Sequence, residues 1–299
     1  MESLKKGDTV AIAATARKVS KDEMQAAIAI LESWGLKVQL SESLFEEENQ
    51  YAGSDQTRIE SFQKLLDDPK IKAIFCARGG YGTVRMLDGL DYEIFLEYPK
   101  WIVGYSDITA LHMHLYQKLG YSSLHGPMPI NWQKEKLHPE SLAFLRKTLF
   151  EKPQEIKFLK HGLNQREDKT HGILMGGNLS VLYSLLGSKT EPSYENKILF
   201  LEDLDEYLYH IDRMMQGLKR AGRLNNLSAL IVGDMSDMKD NTVPFGKSAY
   251  EIIVDAVKEY DYPVIFGVPA GHEARNLSMV FGLRYFLKPG KEISLTPDI

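Results

Sequence analysis

Cysteine is nearly absent from this 299-residue chain: Cys76 is the only one. No internal disulfide can form and no cysteine-rich metal site can be built, which fits a reducing compartment. Long apolar runs are missing too. The amino-terminal residues lead into an apolar stretch of residues 10–14 only, too short and too soon interrupted for a signal peptide or a membrane span. Positive charge is in deficit, with 36 Lys and Arg against 41 Asp and Glu, and no basic block compensates for the net −5. A nucleic-acid partner is therefore not expected. What remains is the balance of an ordinary globular protein, long enough for two domains and expected in the cytoplasm.

One stretch organises the rest. Trp101-Ile102-Val103-Gly104-Tyr105-Ser106-Asp107 is an apolar run that stops at a glycine and passes into a segment with Ile108, Leu111, Leu115 and Leu119 at helical spacing, closed by Gly120. This predicts a strand, a tight turn bearing Ser106, and a helix. A serine at such a crossing exposes its hydroxyl above the sheet edge, and the helix amino terminus favours an oxyanion. The layout is that of a nucleophile elbow, although the fifth position of Gly-x-Ser-x-Gly is Ile108 here. The alternative is that Ser106 or Asp107 only caps the helix.

Along the chain, apolar strands alternate with helical periods. Residues 9–15 form the first strand, and Ser20-Lys21-Asp22-Glu23 is a capping box before a helix that ends at Gly35. Residues 36–40 complete a right-handed β-α-β unit. Residues 43–54, with Glu46, Glu47 and Glu48, are read as a solvated loop. Residues 71–77 are a buried strand that ends in Arg78-Gly79-Gly80-Tyr81-Gly82. Three glycines in five positions suit a phosphate cradle, an oxyanion hole or a loop that needs positive φ, and neither the Rossmann fingerprint nor the P-loop is completed.

The fold class expected is α/β in both halves: a parallel-sheet domain over residues 1–150, a linker over 151–170, and a second α/β domain over 171–299. The second half repeats the pattern. A strand ends in Gly176-Gly177-Asn178, another has Glu202 and Asp203 at its exit, and a third leads to Gly267-Val268-Pro269-Ala270-Gly271-His272. Residues 281–295 are read as a last pair of strands.

A serine nucleophile needs a base and an acid that fixes the base's tautomer. Of the eight histidines, His272 follows a strand on a glycine-rich loop, and His125 is similarly placed in the first half. His112 and His114 lie about 200° apart on a helix and cannot share one metal ion. Glu202 is the orienting acid of choice, with Asp203 beside it. Cys76 is a rival nucleophile, but it lies within an apolar strand rather than at its end.

Taken together and in order, Arg78-Gly79-Gly80-Tyr81-Gly82, Gly104-Tyr105-Ser106-Asp107, Phe200-Leu201-Glu202-Asp203 and Gly267-Val268-Pro269-Ala270-Gly271-His272 resemble the motifs of the LD-carboxypeptidase family of serine peptidases. The resemblance implies a Rossmann-like N-terminal domain and a smaller α/β C-terminal domain with the site between them, Ser106 as nucleophile, Glu202 as orienting carboxylate, His272 as base, and the Gly80 and Asp107 N–H groups as oxyanion hole. It implies no metal or organic cofactor, a homodimer, and a small murein peptide as substrate, cut at an L,D bond to release D-Ala during cytoplasmic wall recycling. One branch of the family instead cleaves peptidyl-nucleotides of the microcin C type. Arg78 and Arg275 are candidates for gripping the terminal carboxylate. The reading from a different class is a non-catalytic nucleotide-binding α/β protein using residues 78–82.

Overall fold

Two sheets, each built mainly from one half of the chain, carry the structure; the computed structural model describes residues 2–133 and 136–299. The first half runs β1 (Thr9–Ala13), α1 (Lys21–Ser33), β2 (Lys37–Leu40), α2 (Asp55–Asp67), β3 (Ile71–Cys76), α3 (Glu93–Glu97), β4 (Trp101–Gly104), α4 (Thr109–Leu119), β5 (Ser123–His125) and α5 (Pro139–Phe150). Local chemistry sets these limits. Ser20 accepts from the Glu23 N–H and Glu23 returns a bond to the Ser20 N–H, so the capping box that opens α1 is complete. Gly120, at φ 62°, closes α4 in the left-handed conformation.

The second half runs β6 (Ile156–Leu159), β7 (Thr170–Asn178), α6 (Leu179–Ser184), β8 (Lys197–Leu204), α7 (Leu208–Arg220), β9 (Ala229–Ser236), α8 (Ala249–Val257), β10 (Val264–Phe266), β11 (Met279–Phe281), β12 (Arg284–Lys288) and β13 (Glu292–Pro297). The first sheet has the order β11-β5-β4-β3-β1-β2 and is parallel apart from β11. The second has the order β10-β9-β8-β7-β12-β13-β6, with β7 to β10 parallel and the other three strands antiparallel. Every residue of β4 is buried, as expected of a central parallel strand covered on both faces.

Three expectations change. Residues 151–170 are more than a connector: Ile156 and Phe158 alternate inward with exposed neighbours, and β6 pairs with β13 at the sheet edge. The carboxy-terminal stretch holds three strands rather than two, and the first of them, β11, leaves its own half to pair with β5, setting Met279 opposite His125. The loop over residues 43–54 is not merely solvated, because Leu44 and Ala52 are buried and Tyr51 bridges Arg17.

Lys100, buried just before β4, donates to the carbonyls of Leu65, Leu66 and Asp68 at 3.0, 2.6 and 2.7 Å and so caps the carboxyl end of α2. Burial nonetheless draws its pKa down to about 8. Cys76 ends β3 fully buried, and burial pushes its thiol up to about 12, so it is a core residue rather than a nucleophile.

Candidate active site

The carboxyl ends of β1, β3 and β4 face those of β7 and β8 across a cleft of about 520 Å³. Parallel sheets present their loops at this edge, so residues just beyond several strands converge there. Ser106 is the first residue of a 3-10 turn, Ser106–Ile108, between β4 and α4. Its φ is 62°, a left-handed conformation that a serine enters at a cost, so the chain turns sharply at this residue. Gly104 permits the turn: a Cβ there would lie 2.8 Å from Cγ1 of Ile108.

The glycine-rich turn after β3 packs against this elbow. A Cβ placed on Gly79 would lie 3.1 Å from Cβ of Ser106, 3.2 Å from its Oγ and 3.3 Å from the Asp107 nitrogen. Gly80 has φ 107°, open to glycine and unfavourable for other residues. The buried Asp107 carboxylate accepts from the Thr83 N–H at 2.9 Å and ties the two loops together. Burial raises the Asp107 pKa, and the Thr83 hydrogen bonds oppose the rise.

Across the cleft, Glu202 lies inside β8 rather than at its exit. The β8–β9 register slips between Leu201 and Asp203, a bulge-like irregularity that re-aims side chains. Oε2 of the fully buried Glu202 is 2.6 Å from Nδ1 of His272. With Nδ1 held this way, Nε2 is the nitrogen left for proton transfer. Burial disfavours the imidazolium, but the charge and hydrogen bond of Glu202, reinforced by Asp203 and Asp234, carry the His272 pKa above its ordinary value. The Tyr105 ring, 4.8 Å from the imidazole between centroids, packs against it.

Ser106, His272, Gly79, Gly80 and Asp107 all line the cleft, and so does Arg78. Asp203, the alternative acid, is otherwise engaged. It accepts from Nδ2 of Asn178 at 2.8 Å and from the Ser180 N–H at 2.9 Å, joining β8 to the start of α6. Burial, then the neighbouring Glu202 charge, pushes its pKa up to about 7. Arg275 is a correction: its guanidinium grips Glu140 of α5, Nε to Oε2 at 2.8 Å and Nη2 to Oε1 at 3.2 Å, and it is not among the residues lining the cleft. The reason is local. Past His272 the chain turns onto α5, where the Ala274 carbonyl accepts from the His138 N–H at 2.8 Å.

Four other histidines are engaged elsewhere. His125 is fully buried among Tyr105, Phe200 and Phe281. Nε2 of His112 lies 2.9 Å from the Gly104 carbonyl, and burial draws its pKa down to about 4. His114 is also buried, and its Nδ1 is 3.1 Å from Oγ1 of Thr190. His210 has Nδ1 2.5 Å from a Glu206 carboxylate oxygen.

Among the cleft residues that escaped the sequence reading, two stand out. Asn178 ends β7 after Gly176 and Gly177, and its N–H donates to Oγ1 of Thr109 at 3.0 Å, linking the second half to the start of α4. Arg17 lies four residues past β1, and its place beyond a parallel strand's carboxyl end was the available signal.

Known proteins resemble this chain in sequence and in fold. Residues 10–126 match the LD-carboxypeptidase N-terminal domain and residues 171–287 the LD-carboxypeptidase C-terminal domain. The chain is 33% identical over 292 residues to a Bacillus subtilis protein named as a probable murein peptide carboxypeptidase, covering 95% of this chain and 89% of that one. It is 28% identical to a murein tetrapeptide carboxypeptidase of Pseudomonas aeruginosa, covering 91% of each. In three dimensions it is similar to a muramoyltetrapeptide carboxypeptidase from Oxalobacter formigenes, with a TM-score of 0.88 and 28% identity over 97% of this chain and 99% of that one. The microcin C7 self immunity protein MccF shares the fold, with a TM-score of 0.88 at 23% identity over 99% and 98% of the two chains. On the two domain matches and the full-length relative, the chain belongs to the LD-carboxypeptidase family.

Proposed function

We propose that the protein is a serine LD-carboxypeptidase that removes the terminal D-Ala from murein tetrapeptide, working in the cytoplasm as a homodimer in the recycling of wall peptides. The observation that carries the proposal is the Glu202–His272 hydrogen bond, buried at its acid end, on a cleft shared with a serine in a left-handed elbow. The names of the relatives support the substrate class.

In the proposed reaction His272 takes the Ser106 proton at Nε2 as Oγ attacks the scissile carbonyl carbon. The carbonyl π electrons move to oxygen, and the Gly80 and Asp107 N–H groups receive the oxyanion. Glu202 stabilises the imidazolium. The tetrahedral species collapses, the C–N bond breaks, and imidazolium protonates the departing D-Ala nitrogen. Water, deprotonated by His272, then hydrolyses the Ser106 ester. The raised His272 pKa suits this sequence, since a stronger base accepts the serine proton more readily.

The MccF likeness motivates a second substrate class, a peptidyl-nucleotide. The experiment incubates the purified protein with murein tetrapeptide and, separately, with a peptidyl-adenylate, and reads products by mass. Loss of one alanine from the tetrapeptide is expected. Cleavage of the adenylate alone would move the assignment to the immunity branch, and cleavage of neither would overturn the hydrolase proposal.

A further inference from the structure

A carboxypeptidase must recognise the free carboxylate that distinguishes a chain end from an internal peptide. We infer that Arg17 is the residue that grips it; the inference rests on the carboxypeptidase reading above and identifies the specificity determinant of that same cleft.

The charged side chains of the cleft narrow the choice. Asp205 is paired with Lys239 at 2.5 Å and Glu206 with His210 at 2.5 Å. Asp203 and Asp107 are held by hydrogen-bond donors of their own. Arg78 lies 3.8 Å from Glu23 and has a counter-ion. Arg17 lines the same cleft, is exposed, and has no ion-pair partner among the described residues. It is therefore the cationic group there whose charge the protein leaves uncompensated, and a guanidinium offers a carboxylate two parallel donors.

Its position matches the need. A Cβ placed on Gly80 would lie 2.2 Å from Cδ and 2.6 Å from Cγ of Arg17, so the aliphatic stem lies directly over the glycine that would supply an oxyanion donor. The terminal carboxyl carbon of a substrate is three bonds, about 3–4 Å, beyond the scissile carbonyl carbon, and the guanidinium carbon is two bonds beyond Cδ. Both ends of the substrate's last residue thus fall within reach of one short stretch of surface. The backbone is fixed as well: Arg17 bridges Tyr51, the Ala16 carbonyl accepts from the Ala52 N–H at 3.1 Å, and the Lys18 N–H donates to the Gln50 carbonyl at 3.0 Å. A held backbone lowers the cost of ordering the side chain on binding. The acidic loop over residues 43–54 then has a task, which is to brace the arginine.

The test compares hydrolysis of murein tetrapeptide with that of the same peptide ending in a carboxamide. The unmutated protein should favour the free acid. Arg17→Ala should lower kcat/KM for the acid by roughly 10- to 100-fold, chiefly through KM, and bring the acid-to-amide ratio toward unity. Arg17→Lys should recover part of the preference, whereas Arg78→Ala should keep it. Calorimetric binding of both peptides to Ser106→Ala protein, with and without Arg17→Ala, should show the same contrast free of turnover. A preference for the acid that survives Arg17→Ala, or that disappears in Arg78→Ala instead, would overturn the assignment while leaving the carboxypeptidase reading intact. Failure of the unmutated protein to hydrolyse either peptide would overturn that reading, and this one with it.

Discussion

In the proposed reaction His272 sets the pH behaviour of the site. A base must be neutral to accept a proton, and because the His272 pKa stands above the ordinary histidine value, activity should climb along a limb whose midpoint lies above pH 6.5. Glu202→Gln removes the negative charge that raises it. The imidazolium is then less stabilised, so the limb should move to lower pH while kcat falls on the order of 10³- to 10⁴-fold. A kcat/KM profile for both proteins measures this, and an unmoved limb would detach Glu202 from His272. What was legible in the sequence is placement: Ser106, Glu202 and His272 each sit inside a distinctive run of neighbours, and Ser106 and His272 line one cleft with Glu202 paired to His272. Arg17 was not readable, because its task comes from Gly80 and Tyr51, which lie far from it in sequence. Arg275 misled for the converse reason: closeness to His272 along the chain does not place it in the cleft, and Glu140 claims it.

Among the elements, the β4–α4 elbow and the β8 irregularity do most to shape the site. The elbow was legible because apolar content, glycine and helical period change at one point; its strain was not, since φ is a property of the folded turn. That strain has a measurable consequence. Ser106→Gly and Ser106→Ala both remove the hydroxyl, but only glycine relaxes the left-handed conformation. Ser106→Gly should be more stable than Ser106→Ala by about 1 kcal/mol in chemical denaturation. Equal midpoints would mean that the turn is unstrained. The β8 strand runs three residues past its expected end, because Glu202-Asp203-Leu204 looks polar in isolation and is carried onward by pairing with β9. Tertiary pairing there overrides local composition.

Across the two sheets, alternating strands and helices made the parallel strands readable, but the transfer of β11 to the first sheet was not. β11 is three residues long, too short for a period to announce a partner. The transfer makes the halves interdependent. A fragment of residues 1–150 lacks β11 and exposes the β5 edge, so it should show no cooperative unfolding transition, whereas the full chain should. A cooperative transition in the isolated fragment would show that β11 adds nothing essential. The same interdependence holds the two banks of the cleft in place, through the Asn178–Thr109 bond and the bare Gly177, where a Cβ would lie 2.4 Å from Oγ1 of Thr109. In the proposed reaction side chains from both banks act as one hydrolytic unit, and the initial rate of D-Ala release from murein tetrapeptide by the protein and by Ser106→Ala tests this. A fall on the order of 10⁴- to 10⁶-fold with the fold intact is expected; an unchanged rate would show that Ser106 is not the nucleophile.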